Sequence, residues 1–257
     1  MERINNYNVY IHGMQKSLED KLFWYDLIND YDTVVDFGCA DGSLLKEVER
    51  RSTERGLKKK LIGIDNNEVM RERAAQNVPE GYFLPELEKF YATDYAVLNL
   101  SSVIHEVYSY CTINEIQAFW YNVFNRNYRY IVIRDMMVSK SINYDRECRF
   151  YNYNMPRAYL DQYEDFYSKR GIEKPDEKTA LEFFLKYRYI ENWERESREN
   201  YFPIYLEELL EKIPIKYELM YLDHYILPFT KKKVKEDMDI DIVDNTHCKI
   251  ILKRTEI

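Results

Sequence analysis

A chain of 257 residues can bury a substantial core, and its net charge of −8 argues against a broad phosphate-binding surface while leaving room for a local basic channel. No apolar run approaches the ~20 residues of a membrane span and the N-terminus has no charged-then-apolar leader pattern, so a cytoplasmic protein without membrane contact is expected. The cysteines Cys39, Cys111, Cys148 and Cys248 lie far apart with no C-x-x-C pair, which disfavours a zinc ribbon and a disulfide framework.

The first element is announced by Ser17-Leu18-Glu19-Asp20, a helix start with Ser17 as cap. The stripe Leu18, Leu22, Tyr25 and Ile28 predicts a helix over 17–30. Thr33 to Phe37 follows as a buried strand carrying Asp36 near its end. Gly38 and Gly42 permit a tight turn, and Leu44, Leu45 and Val48 open a helical face. Strand, glycine turn and helix N-terminus suit a nucleotide-like ligand at the carboxyl edge of a parallel sheet. Glu47 to Lys60 is charge-rich, the pattern of a solvated face and loop. Leu61 to Ile64 is a second strand ending in Asp65, a carboxylate placed to accept hydrogen bonds from both hydroxyls of a ribose.

That spacing fits either a nicotinamide enzyme or an S-adenosylmethionine (SAM) site, and the first loop discriminates. A dinucleotide fingerprint needs G-x-G-x-x-G. Here Ala40 replaces the middle glycine and Gly42 falls at the wrong spacing, while Asp36 suits a cationic ligand end better than a pyrophosphate. The segment Asp36-Phe37-Gly38-Cys39-Ala40-Asp41-Gly42 resembles the first motif of the class I, Rossmann-like SAM-dependent methyltransferases, acidic-x-Gly-x-Gly-x-Gly, with Ala40 as the departure. The resemblance covers roughly residues 30 to 140 and the last forty or so. It implies that Asp36, directly or through water, faces the methionine amino group, with the backbone of Gly38, Cys39, Ala40 and Gly42 beside the cofactor. By the same resemblance Asp65 binds the ribose, Asn66 the adenosine edge, Glu86 is the candidate for the adenine amino group, and Ser101 completes the cofactor set.

Glu68 to Ala75 should be the next helix, Asp94 to Leu100 a strand, Ile113 to Phe124 a helix and Tyr130 to Arg134 another strand. This alternation implies a parallel sheet. The expected fold is α/β: a Rossmann-like, mostly parallel seven-stranded sheet with helices on both faces, an antiparallel C-terminal hairpin and a helical insertion after the fifth strand. The expected division is a SAM-binding core over 1–138, a helical lid over 139–205 and the C-terminal part of the core sheet over 206–257.

At the end of the fourth strand His105 and Glu106 stand with Tyr108 and Tyr110 where substrate meets cofactor in an open α/β sheet. His105 is the candidate general base, Glu106 and Asp135 are further catalytic candidates, and Tyr108 is a candidate substrate contact. Each has a structural alternative: a helix cap for His105 or Glu106, an Arg134–Asp135 pair for Asp135. In the lid, arginines and aromatics interleave, and Lys186, Arg188, Trp193 and Arg195 are the candidates to read a substrate. Glu191, Glu194, Glu196 and Glu199 make the same segment acidic, so a solvated helix laced with ion pairs is the default there. Ile215 to Leu227 and Thr246 to Leu252 read as the closing hairpin, with Pro228 to Asn245 as a long loop; His224 and His247 lack a third ligand for a metal.

The function expected is transfer of methyl from SAM to an oxygen or nitrogen of a small molecule. The Asn-Pro-Pro-Tyr type signature of amino-directed nucleic-acid methyltransferases is absent. RNA or a nucleotide end is the alternative acceptor, and a catalytically silent SAM-binding regulator the alternative of another class; oligomeric state stays open.

Overall fold

The structure, a computed structural model, describes residues 17–90, 94–143 and 155–255. Cys148 lies outside the described residues. In chain order the elements that matter are α1 (Leu18–Lys21), β1 (Thr33–Phe37), α2 (Ser43–Glu54), β2 (Lys60–Ile64), α3 (Glu68–Asn77), β3 (Tyr82–Leu84), β4 (Ala96–Ser101), α4 (Ile104–Tyr110), α5 (Ile113–Asn125) and β5 (Tyr130–Met136). Then come α6 (Arg157–Lys169), α7 (Glu177–Lys186), α8 (Trp193–Glu196), α9 (Leu206–Glu211), β6 (Tyr217–Tyr225), α10 (Pro228–Met238) and β7 (His247–Arg254). The strands form one seven-stranded sheet in the order β3-β2-β1-β4-β5-β7-β6. β1 to β5 run parallel, and β7 enters antiparallel between β5 and β6. This is the Rossmann-like sheet with its antiparallel C-terminal hairpin.

Strand periodicity sorts the core into two layers. Val35, Ile62, Ile64, Leu98, Leu100, Ile131 and Ile133 point to one face. Val34, Leu61, Val97, Tyr130 and Val132 point to the other, where Leu44, Leu45, Val48 and Trp24 cover them. The polar residues at the strand ends obey the same alternation. Asp36, Asn99 and Arg134 continue the second face, Asp135 the first. Arg134 and Asp135 therefore cannot pair. Arg134 binds Asp20 instead, and Asp135 turns to α4.

A third apolar cluster, centred on Phe166, Phe183, Phe184 and Phe202, is built by α6 and α7 with Val234 and Met238 of α10. A buried ion pair, Lys186 to Glu182 at 2.8 Å, crosses it, with Arg170 on the other Glu182 oxygen.

Two expectations need correction. The helix predicted over 17–30 is only Leu18–Lys21, followed by turns, and Ser17 makes no side-chain capping bond. The apolar stripe there is real, since Leu22, Trp24, Tyr25 and Ile28 are buried, but it is presented by successive turns. The loop expected from Pro228 contains α10. Its signals were Pro228 at the first turn, where a missing N–H does no harm, and Val234 and Met238 one turn apart, both buried.

Candidate active site

The carboxyl ends of β1, β2, β4 and β5 meet at one edge, and β1 lies between β2 and β4, where the crossovers diverge in opposite directions. Ligands of open α/β sheets bind at such a switch point. A cavity of about 420 Å³ opens there, within the size range of small-molecule sites.

One end of the cavity is made by the β1–α2 turn. Gly38 has φ +78°, and a Cβ on it would stand 2.9 Å from Val103 Cγ2, so this turn needs glycine on both counts. Ala40 holds φ +44° without being glycine. Its strain is offset by a hydrogen bond from its N–H to Asp65 Oδ2 at 3.0 Å. Asp65 Oδ1 also accepts from the Asn67 N–H at 2.8 Å, which fixes the carboxylate at the cavity rim. Burial holds the Asp65 carboxyl above its usual range. Asp36 is buried beside the turn, accepts from Asn99 Nδ2 at 2.7 Å, and is pushed up to about 6 by burial. Ser101 donates to Asn99 Oδ1 at 3.0 Å and lines the cavity. Cys39 packs under the turn, and burial pushes its thiol up. Gly42 starts α2 at φ +76° and packs on Ala74, away from the cavity wall.

Sequence reasoning missed Lys21. It comes from α1, is buried, and lines both the cavity and a small crevice of about 10 Å³ that Gly38 shares with it and that Asp36 also lines. Its ammonium has no hydrogen-bond or ion-pair partner among the described residues, and burial, with Arg134 nearby, lowers its pKa. Its neighbour Asp20 is tied down by Arg134 at 2.7 Å, Lys249 at 2.6 Å and the Tyr225 hydroxyl at 2.6 Å. Asn99 was missed too; a polar residue inside Ala96-Val97-Leu98-Asn99-Leu100, in register with Asp36, was a usable signal.

The middle of the cavity is held by Asp135. Its Oδ2 accepts the N–H groups of Val103 at 2.9 Å and Ile104 at 2.7 Å, the first turn of α4, which follows Ser102 at φ +57°. Its Oδ1 accepts the Met136 N–H at 2.8 Å and the His105 Nδ1–H at 2.8 Å. Burial alone would raise the Asp135 carboxyl, but His105 and the backbone donors hold it below the usual range. An ionised carboxylate only accepts, so Nδ1 carries the proton and Nε2 is the free nitrogen of the neutral ring. Burial alone would lower the His105 pKa, and the Asp135 charge outweighs it, so it stands above the ordinary histidine value. Nε2 faces Glu199 Oε2 across 4.0 Å.

The far wall comes from the insertion. Arg195 bridges Glu106 at 2.8 Å and Glu199 at 2.7 Å, and the Tyr110 hydroxyl donates to the same Glu199 oxygen at 2.7 Å. Glu196 accepts the Tyr201 hydroxyl, and the Tyr201 ring stands edge-on to His105, centroids 5.1 Å apart. Tyr189, Asn192, Leu185, Leu227, Thr230 and His247 complete the lining.

Several predicted site residues stand elsewhere. Asn66 and Glu86 are exposed and outside the cavity lining, Glu86 lying 3.9 Å from Lys89. Tyr108 turns towards α5, where its hydroxyl accepts from Trp120 Nε1 at 3.0 Å. Arg188 pairs with Asp237 of α10 at 2.6 Å. Trp193 packs on Phe166 and Phe183 and donates to Asp165 at 2.7 Å, while Lys186 is sealed in its ion pair with Glu182. Of the four lid candidates only Arg195 reaches the cavity. The solvated helix expected there is corrected as well, since Glu196 and Glu199 are buried in the cavity wall.

No protein-family model matches the sequence, and no curated protein is significantly similar to it. Solved structures are similar in fold. The plantazolicin methyltransferase BpumL, in complex with a triazolic desmethylPZN analog and S-adenosylhomocysteine, is 12% identical with TM-score 0.50, over 94% of this chain and 85% of that one. The MccD protein is 10% identical with TM-score 0.50, over 93% and 97%. A SAM-dependent methyltransferase from Methanosarcina mazei is 14% identical with TM-score 0.48, over 91% and 98%. At such identities the likeness is one of fold: the chain has the class I, Rossmann-like fold of SAM-dependent methyltransferases.

Proposed function

We propose that this protein is a SAM-dependent methyltransferase acting on an oxygen or nitrogen of a small molecule. The observation that carries the reading is the donor set around Gly38. A buried ammonium without a partner among the described residues, Lys21, and a buried carboxylate, Asp36, share one crevice. Together they complement the carboxylate and ammonium of an amino-acid end. Asp65, fixed at the rim by two backbone donors, offers remaining lone pairs to ribose hydroxyls. The residues therefore fit the cofactor, and when bound it supplies an electrophilic methyl group.

The protein's own part is positioning and proton handling. Asp135 holds the His105 ring so that Nε2 takes a proton from the acceptor, and residues 185–201 serve as a lid that completes the wall. The carboxylates of Glu106, Glu196 and Glu199 in that wall disfavour a phosphate-bearing acceptor, which places RNA behind small molecules. Calorimetry with S-adenosylhomocysteine, followed by transfer of labelled methyl from SAM into fractionated cell extract, tests the reading. Binding and label in small metabolites are expected. Absence of binding sinks it, label in RNA reverses the acceptor ranking, and binding without turnover on any fraction favours a silent regulator.

A further inference from the structure

On the acceptor side of the cavity one buried carboxylate, Glu196, has no cation in direct contact among the described residues. Arg134 belongs to Asp20, and Arg195 is shared between Glu106 and Glu199. Glu196 is 6% exposed, lines the cavity, and receives only the neutral Tyr201 hydroxyl; no cation lies within ion-pair distance of it among the described residues. A buried carboxylate without a contacting counter-ion is costly to keep charged unless something neutralises it. Burial and the adjacent Glu199 charge outweigh the Tyr201 hydrogen bond and the more distant charges of Arg195 and Lys186, and hold its carboxyl above the ordinary range, the condition a bound cation would relieve. The ring of Tyr189 lines the same space, and aromatic faces attract cations; the Tyr201 ring already carries the Lys186 ammonium, 4.1 Å from its centroid.

We propose that the acceptor is a small amine that enters as a cation, its N–H groups on Glu196 and its nitrogen beside His105. This rests on the methyltransferase reading above and names the substrate class of that site. The ammonium gives one proton to Nε2 of His105. The freed lone pair forms the N–C bond as the S–C bond of the methyl donor breaks, sulfur keeping the electron pair. Glu196 then faces a product that is again a cation, so its charge is compensated on both sides of the reaction. Alcohols and carboxylic acids fail on the same wall: the first leaves Glu196 unneutralised, the second adds a like charge.

The test uses the wild-type protein saturated with S-adenosylhomocysteine and matched ligand sets: 3-phenylpropylamine, 3-phenylpropanol and 3-phenylpropionate, then hexylamine, hexanol and hexanoate. Amines are expected to raise the unfolding temperature and, with labelled SAM, to take up methyl, while the alcohols and acids do neither. Glu196→Gln keeps the Tyr201 hydrogen bond but not the charge, and should raise KM for the responding amine about tenfold, more than kcat falls. Alcohols or acids responding as well as amines, no response from any amine, or an unchanged KM in the variant would overturn the inference. If the variant does not fold, the wild-type series decides alone. Failure to bind S-adenosylhomocysteine would instead remove the methyltransferase reading beneath it.

Discussion

Replacing Asp135 by asparagine puts the proposed His105 base under direct test. The amide has one acceptor where the carboxylate has two. If its NH2 lies on the Oδ2 side it faces the N–H groups of Val103 and Ile104, donor against donor at 2.9 and 2.7 Å. If it lies on the other side it meets the Met136 N–H and His105 Nδ1. There the ring can only accept, which moves its proton to Nε2 and removes the free lone pair from the cavity. Losing the charged hydrogen bonds costs about 1.5–3 kcal/mol, so the variant should melt several degrees lower yet fold. A wrong tautomer removes general-base catalysis, about 10²–10⁴-fold in rate. The surviving activity carries a second signature. Asp135 raises the His105 pKa, so the parent loses activity as pH falls through a value above 6.5, the protonated ring being no base. Without that charge the acid limb should move to lower pH. Initial rates of methyl transfer from pH 5 to 9, with calorimetry of S-adenosylhomocysteine at each end, separate chemistry from binding. A folded Asp135→Asn variant with a rate within threefold of the parent and an unmoved acid limb would refute the assignment.

His105→Ala should leave S-adenosylhomocysteine binding nearly intact and slow methyl transfer by about a hundredfold or more, read from single-turnover rates. Asp65→Ala removes the acceptor of two backbone N–H groups and the proposed ribose contact, and calorimetry should show affinity weakened by about 1.5–3 kcal/mol. Gly38→Ala combines a positive φ with a 2.9 Å approach to Val103; thermal unfolding should show a loss of about 1–3 kcal/mol. Lys186→Met leaves Glu182 with Arg170 as its one ion-pair partner among the described residues, and urea unfolding should report destabilisation of about 3–5 kcal/mol if the buried pair holds the third apolar cluster.

Those elements of the site that depend on local chain chemistry were legible. Val34-Val35-Asp36-Phe37-Gly38 declares strand and turn through neighbours in sequence, and the pattern survives folding because its hydrogen bonds are made within the sheet and turn. Asp65 and His105 follow as residues at successive strand ends. Residues 186–199 were not legible in the same way. Arg188, Trp193, Arg195 and Glu196 occupy one short segment, and composition cannot say which of them turn inwards. That choice is made by Glu106, 89 residues from Arg195, and by Asp237, 49 from Arg188. Lys21 was hidden for a related reason: in a surface-like Glu-Asp-Lys run, only its place over the sheet edge gives it meaning.

On the reading proposed above, the anchoring of α1 through Asp20 bears on how firmly a cofactor would be held. Four residues cannot sustain a helix alone, so the position of Lys21 is inherited from the grip of Arg134, Lys249 and Tyr225 on Asp20. Loosening that grip would let the segment leave the crevice, and the apparent dissociation constant would then be the intrinsic one divided by the fraction still in place. Any change that lowers this fraction tenfold weakens binding tenfold without altering one atom that a ligand would touch. Asp20, which does not itself line the crevice, would thereby become a dial on how tightly that crevice holds what enters it.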